Sequence, residues 1–343
     1  MTTTETYTAE DQRSMMSTIT GFWVSQMTAA LAHLEVAEHL HDGPKSASRI
    51  AELAGSDPDA TFRLLRAAVD PGLVRHDPGT DRFASTPLLD RLRASAPDSL
   101  RNVAMVWNAP LHWQAWGRFT ECVRTGEDQV TAAVGRPTFD HLAEHPEEAE
   151  WFSRAMAELS LPTIREAVRA IDAVPGTTIV DVGGATGAFV LAMLGAHPGT
   201  DGIVLDLPHV TAAAEQEIDA QGMQDRCEAV AGDFFVEVPE ADLCLLKFVL
   251  HDWGDDDCVR LLRRCREAMR PGGRVVVVDM LTGTPDDPGT AALMDLNMLA
   301  IAPGAREHDL ADVDRFLAAA GLARTATTEL SAPYFVLEAE AVG

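Results

Sequence analysis

Positive charge is scarce in this chain: 27 lysines and arginines stand against 53 aspartates and glutamates, a formal net charge of -26 over 343 residues. Such a balance opposes any polyanion and so excludes nucleic acid as a natural partner, while it would draw in a small cation; the need for solubility accounts for the same charge equally well. Long apolar runs are missing too. No stretch approaches the roughly 20 consecutive apolar residues of a membrane-spanning helix, and Met1 to Arg13 is polar without an apolar signal core, so a soluble, cytoplasmic protein that does not engage membranes is expected. Cysteine is sparse and unpatterned. Cys122, Cys227, Cys244, Cys258 and Cys265 are odd in number, form no Cys-x-x-Cys pair and lie in apolar stretches, which predicts reduced core residues and no readable metal site.

What is present centres on Val180 to Gly187, Val-Asp-Val-Gly-Gly-Ala-Thr-Gly. An apolar run from Thr177 to Val182 stops in a glycine turn, and an apolar helical pattern starts at Ala188. Gly183, Gly184 and Gly187 let the backbone pass close under a ligand, at which the helix aims its first N–H groups. A pyrophosphate-binding dinucleotide loop requires Gly-x-Gly-x-x-Gly, whereas here Ala185 takes the place of the second glycine and Asp181 stands two residues before the first. That acid would repel a phosphate and suits an ammonium group. The pattern therefore points to an aminoacyl nucleoside, S-adenosylmethionine, in preference to NAD.

Before this loop, Ser14 to His41 reads as one long helix, with Ile19, Phe22, Trp23, Met27, Ala30, Leu31 and Leu34 on a wide apolar face. Two short helices follow, Ser46 to Ala54 and Asp57 to Val69, the second capped by Asp57 with Pro58 in its first turn. Leu73 to His76 and Arg82 to Ala84 flank the turn Asp77-Pro78-Gly79 as a hairpin. Three helices and a hairpin make a winged helix, but the recognition position carries only Arg63 and Arg66 in an acidic chain, so dimerisation is the expected role and DNA binding is not. Ser99 to Ile171 is helical with breaks expected at Pro110, Gly117, Pro137, Pro146 and Pro162. Its Trp107, Phe152 and Met156 either line an apolar pocket or fill core. Pro175-Gly176 closes this connector, which divides the chain into 1–98, 99–173 and 174–343.

From 174 onward strands and helices alternate: Thr177 to Val182, a helix after Gly187, Gly202 to Leu207, a helix from about His209 to Gln221, Cys227 to Gly232, and Ala241 to Leu250. A helix from Asp256 to Met269, closed by Pro271-Gly272-Gly273, precedes Arg274 to Val278; Arg324 to Leu330 and Tyr334 to Ala339 complete the sheet. This is an α/β fold, a Rossmann-like, doubly wound, mostly parallel sheet, in which ligands lie beyond the carboxyl ends of the strands. Those ends carry Asp181, Asp206, Asp233, His251 with Asp252, and Asp279. Asp206, about twenty residues past the last loop glycine, suits both hydroxyls of a ribose. Asp233 can accept from an adenine amino group while Phe234 packs on the base. Each acid taken alone could equally be a turn or capping aspartate.

Leu246-Lys247-Phe248-Val249-Leu250-His251-Asp252-Trp253, taken with the loop, Asp206-Leu207-Pro208, Gly232-Asp233-Phe234-Phe235, Asp295-Leu296-Asn297-Met298-Leu299 and the winged-helix front half, resembles the S-adenosylmethionine-dependent O-methyltransferases of the plant caffeate and bacterial antibiotic-tailoring type. The resemblance covers nearly the whole chain and implies a class I methyltransferase fold. It implies that Gly184, Asp206, Asp233, Phe234 and the Lys247-Phe248 backbone contact the cofactor and that His251 is the general base. It further implies a homodimer built through the N-terminal helices, and a small aromatic or polyketide-derived substrate held by the connector and by Met294, Asn297 and Met298. The chemistry of the residues agrees: an ordinary histidine, with a pKa near 6.5, is mostly free base at neutral pH and can take the proton of a phenol. Asp279 or Glu307 could hold its ring. The chain departs from the family pattern at Ala185, at Asp279 where the family has glutamate, and at His308-Asp309 where it has Arg-Thr. Ala185 is expected to matter little because alanine is small, and Asp309 to cap Leu310 to Ala320. The altered acids leave room for a second reaction class, in which the cofactor pocket is kept but the site decarboxylates, hydroxylates or cyclises an aromatic polyketide.

Overall fold

Thr8 opens the first described helix, Ala9–His33, with a reciprocal cap: its hydroxyl accepts from the Asp11 N–H, and the Asp11 carboxylate accepts from the Thr8 N–H. The structure, a computed structural model, describes residues 8–208, 210–331 and 333–342, so most of the polar start, His209 and Ala332 lie outside the described residues. By contacts the chain forms two units, Met1–Trp113 with Phe139–Leu159 and Gln114–Thr138 with Ser160–Gly343.

In the first unit, the single helix expected over Ser14 to His41 is two. Glu35 adopts a left-handed φ of 51°, and a separate helix, Val36–His41, follows. Val36, Ala37 and Leu40 are wholly buried beside Leu31, Ile50, Leu65 and Phe83, and the break lets them enter that core from a new direction. The first helix instead leaves Met15, Ile19, Phe22 and Trp23 at least half exposed. Ser46 and Asp57 cap helices Ala47–Ala54 and Pro58–Ala67 through the N–H groups of Arg49 and Ala60. β1 (Val74–Asp77) and β2 (Arg82–Ser85) pair antiparallel as the wing.

Short helices follow at Arg101–Val106, Pro110–Trp116, Phe119–Thr125, Val130–Val134 and Thr138–Glu144. Pro110 and Pro146 begin helices, where a missing N–H costs nothing. Pro162 does not break the chain as expected: helix Pro146–Ala170 runs through it. An interior proline costs about 3 kcal/mol, and burial of Ala155 on one side and of Ile164 and Ala167 on the other offsets it.

The second unit is built on a seven-stranded sheet of β3 (Thr178–Val182), β4 (Asp201–Asp206), β5 (Cys227–Ala231), β6 (Ala241–Lys247), β7 (Met269–Met280), β8 (Leu322–Glu329) and β9 (Tyr334–Ala341), in the order β5-β4-β3-β6-β7-β9-β8. β5 through β7 are parallel, while β9 runs antiparallel to both β7 and β8. Both faces are buried under apolar clusters, one around Val180, Leu246, Leu262 and Phe316, the other around Ile179, Phe189, Leu245 and Val276. β6 stops at Lys247, short of the expected Leu250, because Phe248 turns to a φ of 57° and a 3₁₀ turn, Leu250–Asp252, begins. Pro271-Gly272-Gly273, expected as a loop, lies within the early part of β7. The strand order reverses between β3 and β6, so the crevice beyond β3, β4 and β6 is the switch point at which such sheets bind ligands. Among the described residues no helix is long and apolar enough to cross a membrane, and all five cysteines are buried free thiols.

Candidate active site at the carboxyl ends of the strands

The loop after β3 is held from below. Asp181 is buried, and its Oδ2 accepts from the Val190 N–H at 3.2 Å. Burial pushes its pKa up to about 6 against the opposing charge of Lys247. The acid that the sequence offers to an ammonium group thus lies beneath the loop, as a support for it and for the following helix. Glycine is required directly above: a Cβ on Gly184 would come within 2.8 Å of the Asp181 carboxyl carbon. Gly187, at a φ of 76°, caps helix Ala188–Ala196, and a Cβ there would meet Val204 at 2.7 Å. Gly183, at a φ of 70°, lies against Val249 and Phe234. Ala185 corrects the expectation that its substitution is minor. Size is not the issue; its φ of 50° is, since this is the left-handed region where a Cβ is strained.

Asp206 holds that conformation: its Oδ2 accepts from the Ala185 N–H at 2.8 Å and its Oδ1 from the Leu207 N–H at 2.7 Å. The Asp206 carboxylate is thereby fixed in place against the loop. Asp233, exposed beyond β5, forms a turn with its Oδ1 on the Phe235 N–H at 2.8 Å. Phe234 and Phe235 meet edge to face at 4.8 Å and both pack on Trp253. The Lys247 ammonium sits 4.4 Å over the Phe248 ring, its pKa lowered by burial despite the nearby charges of Asp181 and Asp279. Phe248, in its left-handed conformation, gives its N–H to the Val278 carbonyl at 3.0 Å.

His251 stands in the 3₁₀ turn just past β6, largely buried. Its Nδ1 lies 3.4 Å from Asp279 Oδ1 and 3.3 Å from Glu307 Oε1, and its Nε2 lies 3.6 Å from Asp252 Oδ1. Both candidate orienting acids therefore flank the same nitrogen. Glu307 is delivered by a short, well-anchored segment: the Arg306 N–H donates to the His251 carbonyl at 2.9 Å, and the Glu307 N–H to Asp295 Oδ1 at 2.9 Å. The expectation of an ordinary, mostly neutral imidazole is corrected. Burial alone would depress its pKa, but the charge of Asp279, the polar contacts with Asp279 and Glu307 and the charge of Asp252 together raise it well above 6.5. An imidazole so raised lies closer in proton affinity to a phenol than an ordinary histidine does.

His308 adds no cation here, because burial lowers its pKa and its ring packs edge-on against Phe316 at 4.9 Å. Asp309 caps helix Leu310–Ala320 through the Asp312 N–H at 2.7 Å, as expected. Helix Ala291–Ile301 carries Met294, Asn297 and Met298; Asn297 Oδ1 accepts from the Trp116 indole N–H at 3.0 Å, and its Nδ2 approaches Met294 Sδ at 3.7 Å. Trp107, Phe152 and Met156 belong to the first unit, where Phe152 packs on Val103, Val106 and Ala155 while Trp107 and Met156 are more than a third exposed. Sequence reasoning missed Tyr334. It is paired with Met280 across β7 and β9, and its ring lies 5.3 Å from that of Phe248. Burial, then the charges of Glu307 and Asp279, push its phenol up to about 12. Its scarcity, as one of two tyrosines, was the signal available.

Residues 116–323 match the family described as the O-methyltransferase domain, and residues 16–94 the O-methyltransferase dimerisation domain. The chain belongs to the O-methyltransferase family. It is 33% identical to phenazine O-methyltransferase PhzM of Lysobacter antibioticus, over 96% of each chain. It is 35% identical to the mitomycin biosynthesis 6-O-methyltransferase of Streptomyces lavendulae, over 88% of this chain and 86% of that one. The crystal structure of human N-acetylserotonin methyltransferase in complex with S-adenosylmethionine superposes with a TM-score of 0.86 at 26% identity, covering 99% of each chain. The protein is thus a methyltransferase that uses S-adenosylmethionine and acts on secondary metabolites. The methyltransferase loop fits that cofactor: its glycines let the backbone close down on Asp181 and Val204, and carboxylates suited to hydroxyl and amino groups stand at the ends of β4 and β5.

Proposed function

We propose that the acceptor is a hydroxyl on a small aromatic or polyketide-derived molecule and that His251 removes its proton. The observation that carries this reading is the placement of an imidazole at the carboxyl end of β6 with Nδ1 turned to two buried acids, so that Nε2, 3.6 Å from Asp252, is the nitrogen that would meet an acceptor. In it, Asp206 takes the ribose hydroxyls, Asp233 the adenine amino group, and Gly183, Gly184, Gly187, Phe234, Lys247 and Phe248 shape the cradle, with Asp181 supporting the loop from below. When bound, S-adenosylmethionine supplies a methyl group on a positively charged sulfur. Asp279 and Glu307 hold the ring and stabilise the imidazolium that forms when His251 takes the proton. Met294, Asn297 and Met298 contact the acceptor, with Asn297 held by Trp116. The apolar side chains around the site exclude water, and alignment of the reacting groups contributes more than proton transfer, up to about 7–11 kcal/mol. Residues 1–98 pair two copies into a homodimer that works in the cytoplasm, and 174–343 carry the chemistry.

The test is His251→Ala assayed with labelled S-adenosylmethionine and a panel of phenols. Turnover is expected to fall by roughly 10²–10⁴-fold, with calorimetric affinity for S-adenosylhomocysteine unchanged. A loss under about tenfold would mean that the acceptor arrives ionised and that alignment alone drives transfer. A wild-type product that carries no added methyl would move the site to decarboxylation, hydroxylation or cyclisation.

A further inference from the structure

The three groups that meet at His251 stand at a spacing that a metal ion would also satisfy. An N–H···O hydrogen bond spans about 2.7–3.2 Å, yet His251 Nδ1 is 3.3 Å from Glu307 Oε1 and 3.4 Å from Asp279 Oδ1, and it has an aligned hydrogen bond to neither. Ligand atoms held tetrahedrally at about 2.0–2.2 Å from a zinc ion lie roughly 3.3–3.6 Å apart. One atom from each of the three residues lies within 4.8 Å of the other two. A second observation points the same way. The Glu307 side chain is wholly buried, and neither of its oxygens has a hydrogen-bond partner among the described residues, although it is aimed at the imidazole. Leaving a buried carboxylate without a hydrogen bond is costly, and a single imidazole shared with Asp279 meets only part of that cost.

We propose that His251 Nδ1, Asp279 and Glu307 form a three-ligand site for one divalent transition-metal ion of the zinc class, with solvent in the fourth position, whose occupation switches the enzyme off. Two carboxylates and a neutral imidazole balance the charge of a dication. On binding, the imidazolium releases its Nδ1 proton to solvent and the metal takes that lone pair, while Nε2 keeps its proton. The nitrogen facing the acceptor is then a donor with no free lone pair, and it cannot remove a proton. The inhibitory half rests on the reading of His251 as the base; the site itself does not.

Cobalt(II) added to the full-length protein is the probe that separates the two. The site predicts visible absorption of a four-coordinate nitrogen and oxygen centre without a thiolate charge-transfer band, and one tightly held zinc per chain after dialysis. Glu307→Gln should weaken retention by at least about tenfold, with Asp279→Asn as the second variant should the first not fold. A spectrum unchanged from free cobalt, a thiolate band, or equal affinity in wild type and variants overturns the site. Zinc is expected to abolish methyl transfer and a chelator to restore it. A filled site with undiminished transfer would leave the metal centre standing and remove His251 from the role of base.

Discussion

At the scale of single residues, the backbone angle decides what the side-chain type conceals. Ala185 is small enough for its loop, yet it holds a φ of 50°, where an L-residue pays roughly 1–2 kcal/mol that glycine does not. Glycine gives back about half of this through the freedom it gains when unfolded. Ala185→Gly should therefore raise stability by about 0.5–1 kcal/mol, read as a higher urea midpoint at unchanged slope. No gain would mean that the Asp206 hydrogen bond on the Ala185 N–H already sets this conformation at no cost. Phe248 holds a similar angle beside His251, with Tyr334 packed on its ring. Strain of this kind concentrates where a site requires one geometry.

At the scale of elements, the segment from Arg306 to Asp309 links His251 to the last long helix. Asp309 caps helix Leu310–Ala320, and losing such a cap costs about 0.5–2 kcal/mol. Asp309→Ala should lower the denaturation midpoint accordingly. Turnover should stay within a few-fold, because Glu307 is anchored independently through Asp295 and through the Arg306 N–H on His251. A fall in turnover as deep as that of His251→Ala would show that the cap itself positions Glu307. The end of β6 was misplaced in the sequence pattern for a local reason: Phe248, Val249 and Leu250 continue an apolar run, and nothing in their type announces a left-handed turn.

At the scale of the molecule, two properties can be measured without the acceptor. His112 is buried in the first unit with no hydrogen-bond partner at Nδ1 among the described residues, and burial pushes its pKa down to about 4. In the unfolded chain the ordinary value is near 6.5. The unfolded state therefore binds more protons between these values, so stability is whole above pH 6.5 and falls as the pH drops toward 4, by about 3 kcal/mol in all. Urea titrations at several pH values should show this decline, and His112→Asn should flatten it; an equal decline in the variant would assign it to carboxylates. The proposed homodimer would cover the exposed Met15, Ile19, Phe22 and Trp23 of helix Ala9–His33. Light scattering at micromolar concentration should give about twice the chain mass, and Trp23→Asp should shift it toward a monomer. A wild-type particle of 36.9 kDa would end the proposal.

The alternation of apolar runs, glycine punctuation and acids at strand ends determined the sheet, its parallel core and the loop after β3, because these depend on local periodicity and on backbone freedom that only certain residues allow. His251 was legible by the same route, as a polar residue closing an apolar strand. Its charge state was not. That depends on Asp279, in the neighbouring strand, and Glu307, more than fifty residues onward, reaching one imidazole nitrogen in a place with little water, and Coulomb interactions there are set by distances that sequence does not carry. For the same reason only the tertiary structure moved Asp181 beneath its loop, brought Tyr334 to Phe248 and tied Trp116 to Asn297.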